Sequence, residues 1–485
     1  MSPPLDDVVG LVSAAPRAAP SAPLDLSIPH RLHVVGVGGP GMSAIAIALA
    51  EMGHDVSGSD LRESPVLERV RAAGVAVHIG HDRELVHGVD AVTASTAIPA
   101  RNIELDEARD RGVPALRRAG MLASICARAK SLAVAGTHGK TTTTSMLMLM
   151  LAEAGLRPSF VVGGDVTDVG TGAQWTGGEW LVVEADESDG THLELPLHGA
   201  ILTNVEVDHL DHYGSFDSIV ASFDDFLAQV PGPKVVSADD PAAASLAFRH
   251  GATTFGFSEH ADVRAVDVRS EHGTTVFGVE RRDANGAVVE LGRVSLPMRG
   301  DYNVLNAVGA LAMALEVGVD IADVIASLAK FGGVARRFDI RGADGGATFV
   351  DDYAHLPSEI RAVLSGARHG GDEWRRVIAV FQPNRYNRIA EIWNDYGDAF
   401  GDADVVVLTD IYPSGTTPIP GVTGKLIVNA VTAERPDQRV VWLPRRDDLV
   451  SFISAEARDG DVVVSMGCGD IASFPSEVLD ARARR

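Results

Sequence analysis

The residues best suited to chemistry in this chain are Gly136-Thr137-His138-Gly139-Lys140-Thr141. They follow a short apolar run at 132–135 and precede a helical pattern at 141–154. A glycine-bearing loop between strand and helix can cradle phosphates, because backbone N–H groups and the helix N-terminus face the anionic oxygens. In such a loop Lys140 meets the β/γ-phosphates and the Thr141 hydroxyl ligates Mg2+. The loop is two residues shorter than the general G-x-x-x-x-G-K-[ST] pattern, whose first position falls on Val134. An ordinary βα turn with a surface lysine is the bland alternative, and the strand–loop–helix context argues against it.

Glu184 closes another apolar run, 180–184, where an acidic Mg2+ ligand often stands near a phosphate loop. Alone, an acid at a strand end is more often a helix cap or a solvated turn residue. Asp186, Glu187 and Asp189 make this segment strongly anionic, which calls for a nearby cation. Further on, Thr203-Asn204-Val205-Glu206-Val207-Asp208-His209-Leu210-Asp211-His212 clusters acids and imidazoles. Ligands of a zinc hydrolase and a helix start capped by Asp208 both fit that segment taken alone.

Gly36-Val37-Gly38-Gly39-Pro40-Gly41 matches G-x-G-x-x-G after a strand pattern at 32–35, and Asp60 follows Gly41 by 19 residues. This is the dinucleotide fingerprint, whose physical demand is close approach of backbone to a pyrophosphate. A nucleotide sugar carries the same pyrophosphate, so the motif does not separate NAD from a UDP-sugar. Near the C-terminus, Asp351-Asp352-Tyr353-Ala354-His355 and Gln382-Pro383-Asn384-Arg385-Tyr386-Asn387-Arg388 each follow a strand pattern. Arg385 and Arg388, three apart, can share a helical face and grip a carboxylate, although singly each reads as a surface charge.

Positioning these groups takes three successive runs of strands alternating with helices, which restart near 131 and again after 338. Such alternation means parallel sheets covered on both faces. Residues 253–297 read differently, with alternation and glycine turns that suggest antiparallel strands, before a helix at 303–316. The 485-residue length agrees with roughly three domains at about 150 residues each.

Composition excludes several classes. With 42 Lys+Arg against 66 Asp+Glu the net charge is −24, a poor match to general nucleic-acid binding. Two cysteines, Cys126 and Cys468, cannot form a disulfide framework and suit a reducing compartment. The acidic N-terminus does not read as a signal peptide, and the longest apolar run is far short of a membrane span. A cytoplasmic location without membrane insertion is expected. Residues 1–29, rich in proline and alanine, are expected to be a disordered tail.

Taken together and in this order, the motifs resemble the Mur ligase family, over roughly residues 30–470. The most specific pieces are GVGGPGM (36–42), GTHGKTTTT (136–144), EADESD (184–189), TNVEVDHLDHY (203–213), RRF (336–338), DDYAH (351–355) and FQPNRY (381–386). PIPGVTGKL (418–426) and MGCGD (466–470) are also similar. The resemblance implies α/β architecture in three domains, each with a mainly parallel sheet. These are a Rossmann-like UDP-sugar-binding domain at 30–128, a P-loop ATPase-like domain at 129–336, and a Rossmann-like amino-acid-binding domain at 337–485.

The resemblance also implies ATP-dependent joining of L-alanine to the carboxylate of UDP-N-acetylmuramate through an acyl phosphate, in peptidoglycan precursor synthesis. Two Mg2+ ions are expected, with Thr141, Glu184 and His209 as ligands. Gly136, Thr137, His138, Gly139, Lys140, Thr141, Asn303, Arg337 and Asp352 are implied to place ATP. Gly38, Gly39, Asp60, His81, Ser95 and Arg118 correspond to the UDP-sugar side. Tyr353, His355, Arg385 and Arg388 correspond to the amino-acid side, with His355 the candidate to orient or deprotonate the amine. A monomer or homodimer is expected.

Four departures from the family pattern stand out. Leu356 and Asn384 replace usual histidines, Arg299-Gly300-Asp301-Tyr302-Asn303 keeps only the Gly and final Asn of PGxHN, and Gly467-Cys468-Gly469-Asp470 replaces GAGD. No lysine occurs in 210–233, where sister families that add later residues often carry a carbamylated one. Three competing readings are an NAD-dependent oxidoreductase built on the first glycine loop, an ATP-binding sensor of a nucleotide sugar that has lost ligation, and the same ligase chemistry with glycine, serine or a peptide as acceptor.

Overall fold

The computed structural model describes residues 23–95, 97–99, 101–283, 285–371 and 374–484. Three sheets follow one another along the chain. The first has five parallel strands in the order Ala76–Ile79, Asp55–Asp60, Arg31–Val35, Ala91–Ala94, Ala115–Arg117. The chain leaves Arg31–Val35 for one side of the sheet and later returns to the other, which places a crevice at the end of that strand. The 36–41 loop and the helix Pro40–Glu51 begin there.

The central sheet has ten strands, and Lys130–Ala135 lies between Gly199–Leu202 and Trp180–Glu184, all parallel. These three are nearly continuous apolar runs, as strands covered on both faces must be. Because they are neighbours in register, Glu184 pairs with Val134 and Leu202 with Ala135. The loops after all three therefore open on one edge. Within 253–297 the expected antiparallel pairing is found for Val263–Glu271, Thr274–Arg282 and Val288–Leu296, while Thr253–Gly256 joins the parallel part. Ser159–Val166 and Thr171–Gln174, a pair not foreseen from the sequence, complete the other edge.

Helix Lys140–Glu153 is buried along most of its length, and Met146, Leu147, Met150 and Leu151 pack with Val304, Val308 and Leu311 of helix Asp301–Glu316. Each fully buried side chain of this size contributes about 1.5–3 kcal/mol. That burial anchors the phosphate loop to a rigid core.

The third sheet has six strands, ordered Asp339–Asp344, Ala347–Asp352, Asp461–Met466, Arg376–Phe381, Val405–Leu408, Arg439–Trp442. Met466 pairs with Asp352 on one side and Phe381 on the other. The DDYAH, MGCGD and FQPNRY motifs thus leave adjacent strand ends together. Strand Ala347–Asp352 runs two residues beyond the expected 348–350, so Asp351 and Asp352 are buried within it.

Of the tail expected at 1–29, residues 1–22 lie outside the described residues. Beyond them, Leu26 is buried in the first core and the Leu24 N–H donates to Ser124 Oγ at 2.8 Å.

Candidate active site

Gly136 and Gly139 adopt φ of 130° and 77°, and a side chain at either would run into Thr203 or Asn306. The neighbouring strand end holds the loop between them. Thr203 Oγ1 and Asn204 Nδ2 donate to the His138 carbonyl at 2.6 and 3.1 Å, and the His138 N–H donates to Asn204 Oδ1 at 2.8 Å. Lys140 Nζ turns back to the carbonyls of Gly136 and Thr137, 2.6 and 3.1 Å away, and pairs with Glu187 at 2.8 Å. Burial opposes the lysine charge, but Glu187, Asp186 and Glu184 outweigh it and hold the ammonium protonated.

Thr141 Oγ1 donates to Glu184 Oε1 at 3.2 Å, and Glu184 Oε2 accepts from the Gly163 N–H at 2.8 Å. Two oxygens so placed at a phosphate loop suit a hard, oxygen-seeking cation such as Mg2+. Arg337 reaches the same hydroxyl at 3.4 Å. The cation that the acidic segment calls for comes partly from the protein itself. Arg118, on the first unit, binds Asp186 at 2.8 Å and Asp189 at 2.9 Å. Burial pushes Glu187 up to about 7, against the pull of Lys140, whereas Arg118 and Lys140 overcome burial to hold Asp186 far below the carboxylate range.

Two cavities meet this edge. One of about 490 Å3 runs from Gly41 and Arg118 past Glu184 and Thr141 to Arg337 and Tyr353. The other, about 320 Å3, lies beside His138 and Gly139 and is lined by Phe255, Tyr302, Asn306 and Asp352. Asp352 accepts from the N–H groups of Phe338 and Ala354, both at 2.7 Å, and burial raises it to about 6. Asn303 is set back from the cavity: its Nδ2 donates to the Arg299 carbonyl at 2.8 Å and its Oδ1 accepts from Asn306 at 3.4 Å.

The expected UDP-sugar residues, Arg118 apart, gather at the end of the first sheet. Asp60 Oδ2 accepts from the Gly38 N–H at 2.9 Å, and the Gly39 N–H closes a turn on the Gly36 carbonyl. Ser95 Oγ accepts from the Ala97 N–H. His81 Nδ1 lies 3.2 Å from both Ser59 Oγ and Glu104 Oε2.

At the opposite end, Arg388 and Arg385 do not act as a matched pair. Arg388 is buried and grips Asp208 through Nη2 at 2.8 and 3.0 Å, while its Nη1 donates to Asn384 Oδ1 at 2.7 Å. The carboxylate in its fork belongs to the protein. Arg385, at φ 63°, precedes the helix Tyr386–Ile392 and points Nη1 at His209 Nδ1, 3.1 Å away. Burial lowers His209 to about 4, so the ring is neutral; its Nδ1 lone pair faces Arg385 and its Nε2 lies 3.2 Å from Asp208 Oδ2.

His355 is in the opposite state. Burial disfavours its charge, but Cys468, Glu359 and Asp208 raise it to about 10. While protonated, this ring can orient groups and stabilise negative charge, and it can take the amine's proton only from its neutral form. Tyr353 stands edge-on to it at 5.7 Å, with the Arg336 and Arg337 guanidinium groups 4.9 and 4.8 Å from the Tyr353 ring. Among the described residues, no three His, Cys, Asp or Glu side chains converge as a ready metal cage.

Comparison with known proteins agrees with this arrangement. The profile "Mur ligase family, catalytic domain" matches residues 31–130, "Mur ligase middle domain" 134–314, and "Mur ligase, glutamate ligase domain" 336–469. The chain belongs to the Mur ligase family. Its relatives include UDP-N-acetylmuramate–L-alanine ligases of Acidothermus cellulolyticus, 45% identical across 96% of this chain and 97% of that protein, and of Rhizobium meliloti, 41% identical across 94% and 98%. Among solved structures, the UDP-N-acetylmuramate–alanine ligase of Thermotoga maritima superposes with a TM-score of 0.79 at 28% identity, covering 94% of this chain and 99% of that one.

Several residues at this Mur ligase's site escaped the sequence reading. Asn306 accepts from Thr143 Oγ1 at 3.2 Å beside Gly139; the Asn303/Asn306 spacing on one helix face was the available signal. Glu206, Ser358 and Glu359 surround His138. An acid at the third position of a helix, as Glu359 is in Pro357–His369, signals capping and nothing more.

Proposed function

We propose that this Mur ligase joins L-alanine to the carboxylate of UDP-N-acetylmuramate at the expense of ATP, giving ADP and phosphate, in peptidoglycan precursor synthesis. The observation that carries the reading is near full-length identity of 45% to a UDP-N-acetylmuramate–L-alanine ligase. The geometry supports a division of labour. The first unit, 30–128, suits the nucleotide sugar, with Gly38, Gly39, Asp60, His81 and Ser95 at the end of its sheet and Arg118 lining the 490 Å3 cavity. The 320 Å3 cavity beside the phosphate loop of 129–336, walled on its other side by Asp352, Ser358 and Glu359, suits the adenosine of ATP, and 337–485 brings the amino acid.

In the reaction, a muramoyl carboxylate oxygen attacks the γ-phosphorus and ADP departs. The alanine amine then attacks the acyl carbon, the C–O bond to phosphate breaks, and the nitrogen loses a proton. Lys140 spreads charge on the transferring phosphoryl group, a task of electrostatics and positioning. Thr141, Glu184 and neutral His209 would hold two Mg2+ ions, which when bound neutralise phosphate charge. Arg337 and Asp352 border the nucleotide, and His355 with Arg385 offers positive charge near the acceptor. Water would hydrolyse an acyl phosphate, so the close approach of the second and third units has a chemical purpose. ATP and UDP-sugars are cytoplasmic metabolites, and we place the reaction in that compartment. Among the described residues no helix is long and apolar enough to cross a membrane.

The test is phosphate release with MgATP, UDP-N-acetylmuramate and, in parallel, L-alanine, glycine, L-serine or no amino acid. Release that needs both the sugar nucleotide and L-alanine is the expected result. Release with another acceptor moves the specificity, and binding without turnover on any acceptor overturns the ligase reading.

A further inference from the structure

Glu359 occupies a place that helix capping does not account for. Its Oε2 accepts from the N–H groups of His355 and Leu356 at 2.8 and 3.0 Å, which is the reciprocal half of a capping box. The same oxygen lies 3.1 Å from His355 Nδ1. Its other oxygen reaches across to the central unit and pairs with His138 Nδ1 at 3.1 Å. His138 is part of the phosphate loop, fixed there by Asn204 and Thr203. One partly buried carboxylate therefore touches the loop that would hold ATP and the loop that would meet the amino acid.

The neighbours reinforce the bridge. Ser358 Oγ donates to Glu206 Oε2 at 2.6 Å, and Glu206 in turn lies 3.1 Å from His138 Nε2. Tyr396 fixes the far side of the acceptor loop by donating to the His355 carbonyl at 2.7 Å. A shift of His138 strains its contact with Glu359, which holds the His355 backbone N–H and lies against a ring whose Nδ1 is also 3.1 Å from the Tyr353 carbonyl.

Resting on the ligase reading above, we propose that Glu359 is a positioning residue that couples the phosphate loop to the acceptor loop, so that nucleotide at His138 sets the geometry of His355 for alanine. Burial opposes charge on both rings, yet Glu359 with Glu206 at His138, and Cys468, Glu359 and Asp208 at His355, shift both toward the cation, the state a two-sided ion bridge requires. Coupling of this kind is reciprocal: ATP tightens alanine and alanine tightens ATP by the same factor.

Glu359→Gln separates this role from capping, since glutamine also caps at the third helix position. In the full-length enzyme, this variant is expected to raise the KM for L-alanine by about tenfold, a typical coupling magnitude. The KM for UDP-N-acetylmuramate stays within about twofold and Glu359→Asp recovers part of the loss. A second readout needs no turnover: a non-hydrolysable ATP analogue shifts the imidazole 15N resonances of His355 in the wild type and leaves them still in the Gln variant. Wild-type alanine KM together with an unchanged His355 response in Glu359→Gln overturns the proposal. So does an equal loss across all three substrates with the His355 response intact, which marks a purely structural role. If the unmodified enzyme fails to ligate alanine, the functional reading falls, while the resonance experiment still decides the coupling.

Discussion

Arg388 and Asp208 form a buried bidentate ion pair that joins the third unit to the loop after strand Gly199–Leu202, with Nη2 at 2.8 and 3.0 Å from the two carboxylate oxygens. Removing one partner of such a pair strands the other charge in a low-dielectric interior, at a cost of about 3–5 kcal/mol. Arg388→Met is therefore expected to destabilise the protein by about that amount and to lower alanine turnover. Asp208→Asn combined with Arg388→Met is expected to cost less than the two single changes together, because no unpaired charge remains. Denaturant melts of the four proteins check this; additive losses would place the pair outside any shared network.

The His138–Glu359–His355 bridge makes a signed prediction about pH. Folding raises His138 to about 9 and His355 to about 10 from an ordinary value of 6.5. Their contribution is fully present below 6.5 and is lost as pH rises through 9 to 10. Glu359 is shifted the other way, well below 4.5, so its contribution holds above that value and is lost as pH falls through its depressed pKa. Melting temperature scanned from pH 6.5 to 10.5 is expected to fall, and to fall less steeply in Glu359→Gln. A flat profile in the wild type contradicts the charge states.

Lys140 is held by Gly136, Thr137 and Glu187 in a loop whose shape its neighbours fix. Lys140→Met removes the charge and keeps the bulk. The expected result is a fall in kcat of roughly a hundred- to a thousandfold, comparable to losing one transition-state donor, with the affinity for the nucleotide sugar unchanged. Calorimetric titration of UDP-N-acetylmuramate beside phosphate-release rates makes the comparison. Equal loss of both would mean the loop itself had collapsed.

How much of this was legible depends on distance along the chain. The phosphate loop is local: strand, two strained glycines, lysine and helix stand within a few residues, and the structure bears out the strand–loop–helix order. Three mainly parallel sheets follow from apolar runs alternating with helices for the same reason. The Ser159–Val166 and Thr171–Gln174 pair was missed because Gly163, Gly164, Gly170 and Gly172 interrupt the alternation that marks a strand. His355 was visible as a site residue, yet its charge state was not, since Glu359, Asp208 and Cys468 set it from three directions. His138 and Glu359 lie 221 residues apart, and no spacing rule connects them.

Glu104 is the clearest case of a residue that only the fold reveals. It is fully buried at the end of the first sheet and accepts from Ser59 Oγ at 2.7 Å and the Asp82 N–H at 3.1 Å, with His81 Nδ1 3.2 Å and His33 Nε2 3.5 Å away. Burial opposes its charge, but His33 and Ser59 overcome it and hold the carboxyl below its ordinary value. Glu104→Ala would leave several buried donors unpaired, at a cost on the order of 3 kcal/mol. Because His81 loses its anchor, the KM for UDP-N-acetylmuramate is expected to rise while those for ATP and L-alanine hold. Glu104→Gln, which keeps an acceptor for Ser59 and the Asp82 N–H, is expected to restore most of the stability and little of the sugar-nucleotide affinity. Thermal melts beside KM values for the three substrates separate the two effects. Full recovery of affinity in the Gln variant would show that shape at this position, and not negative charge, orients His81.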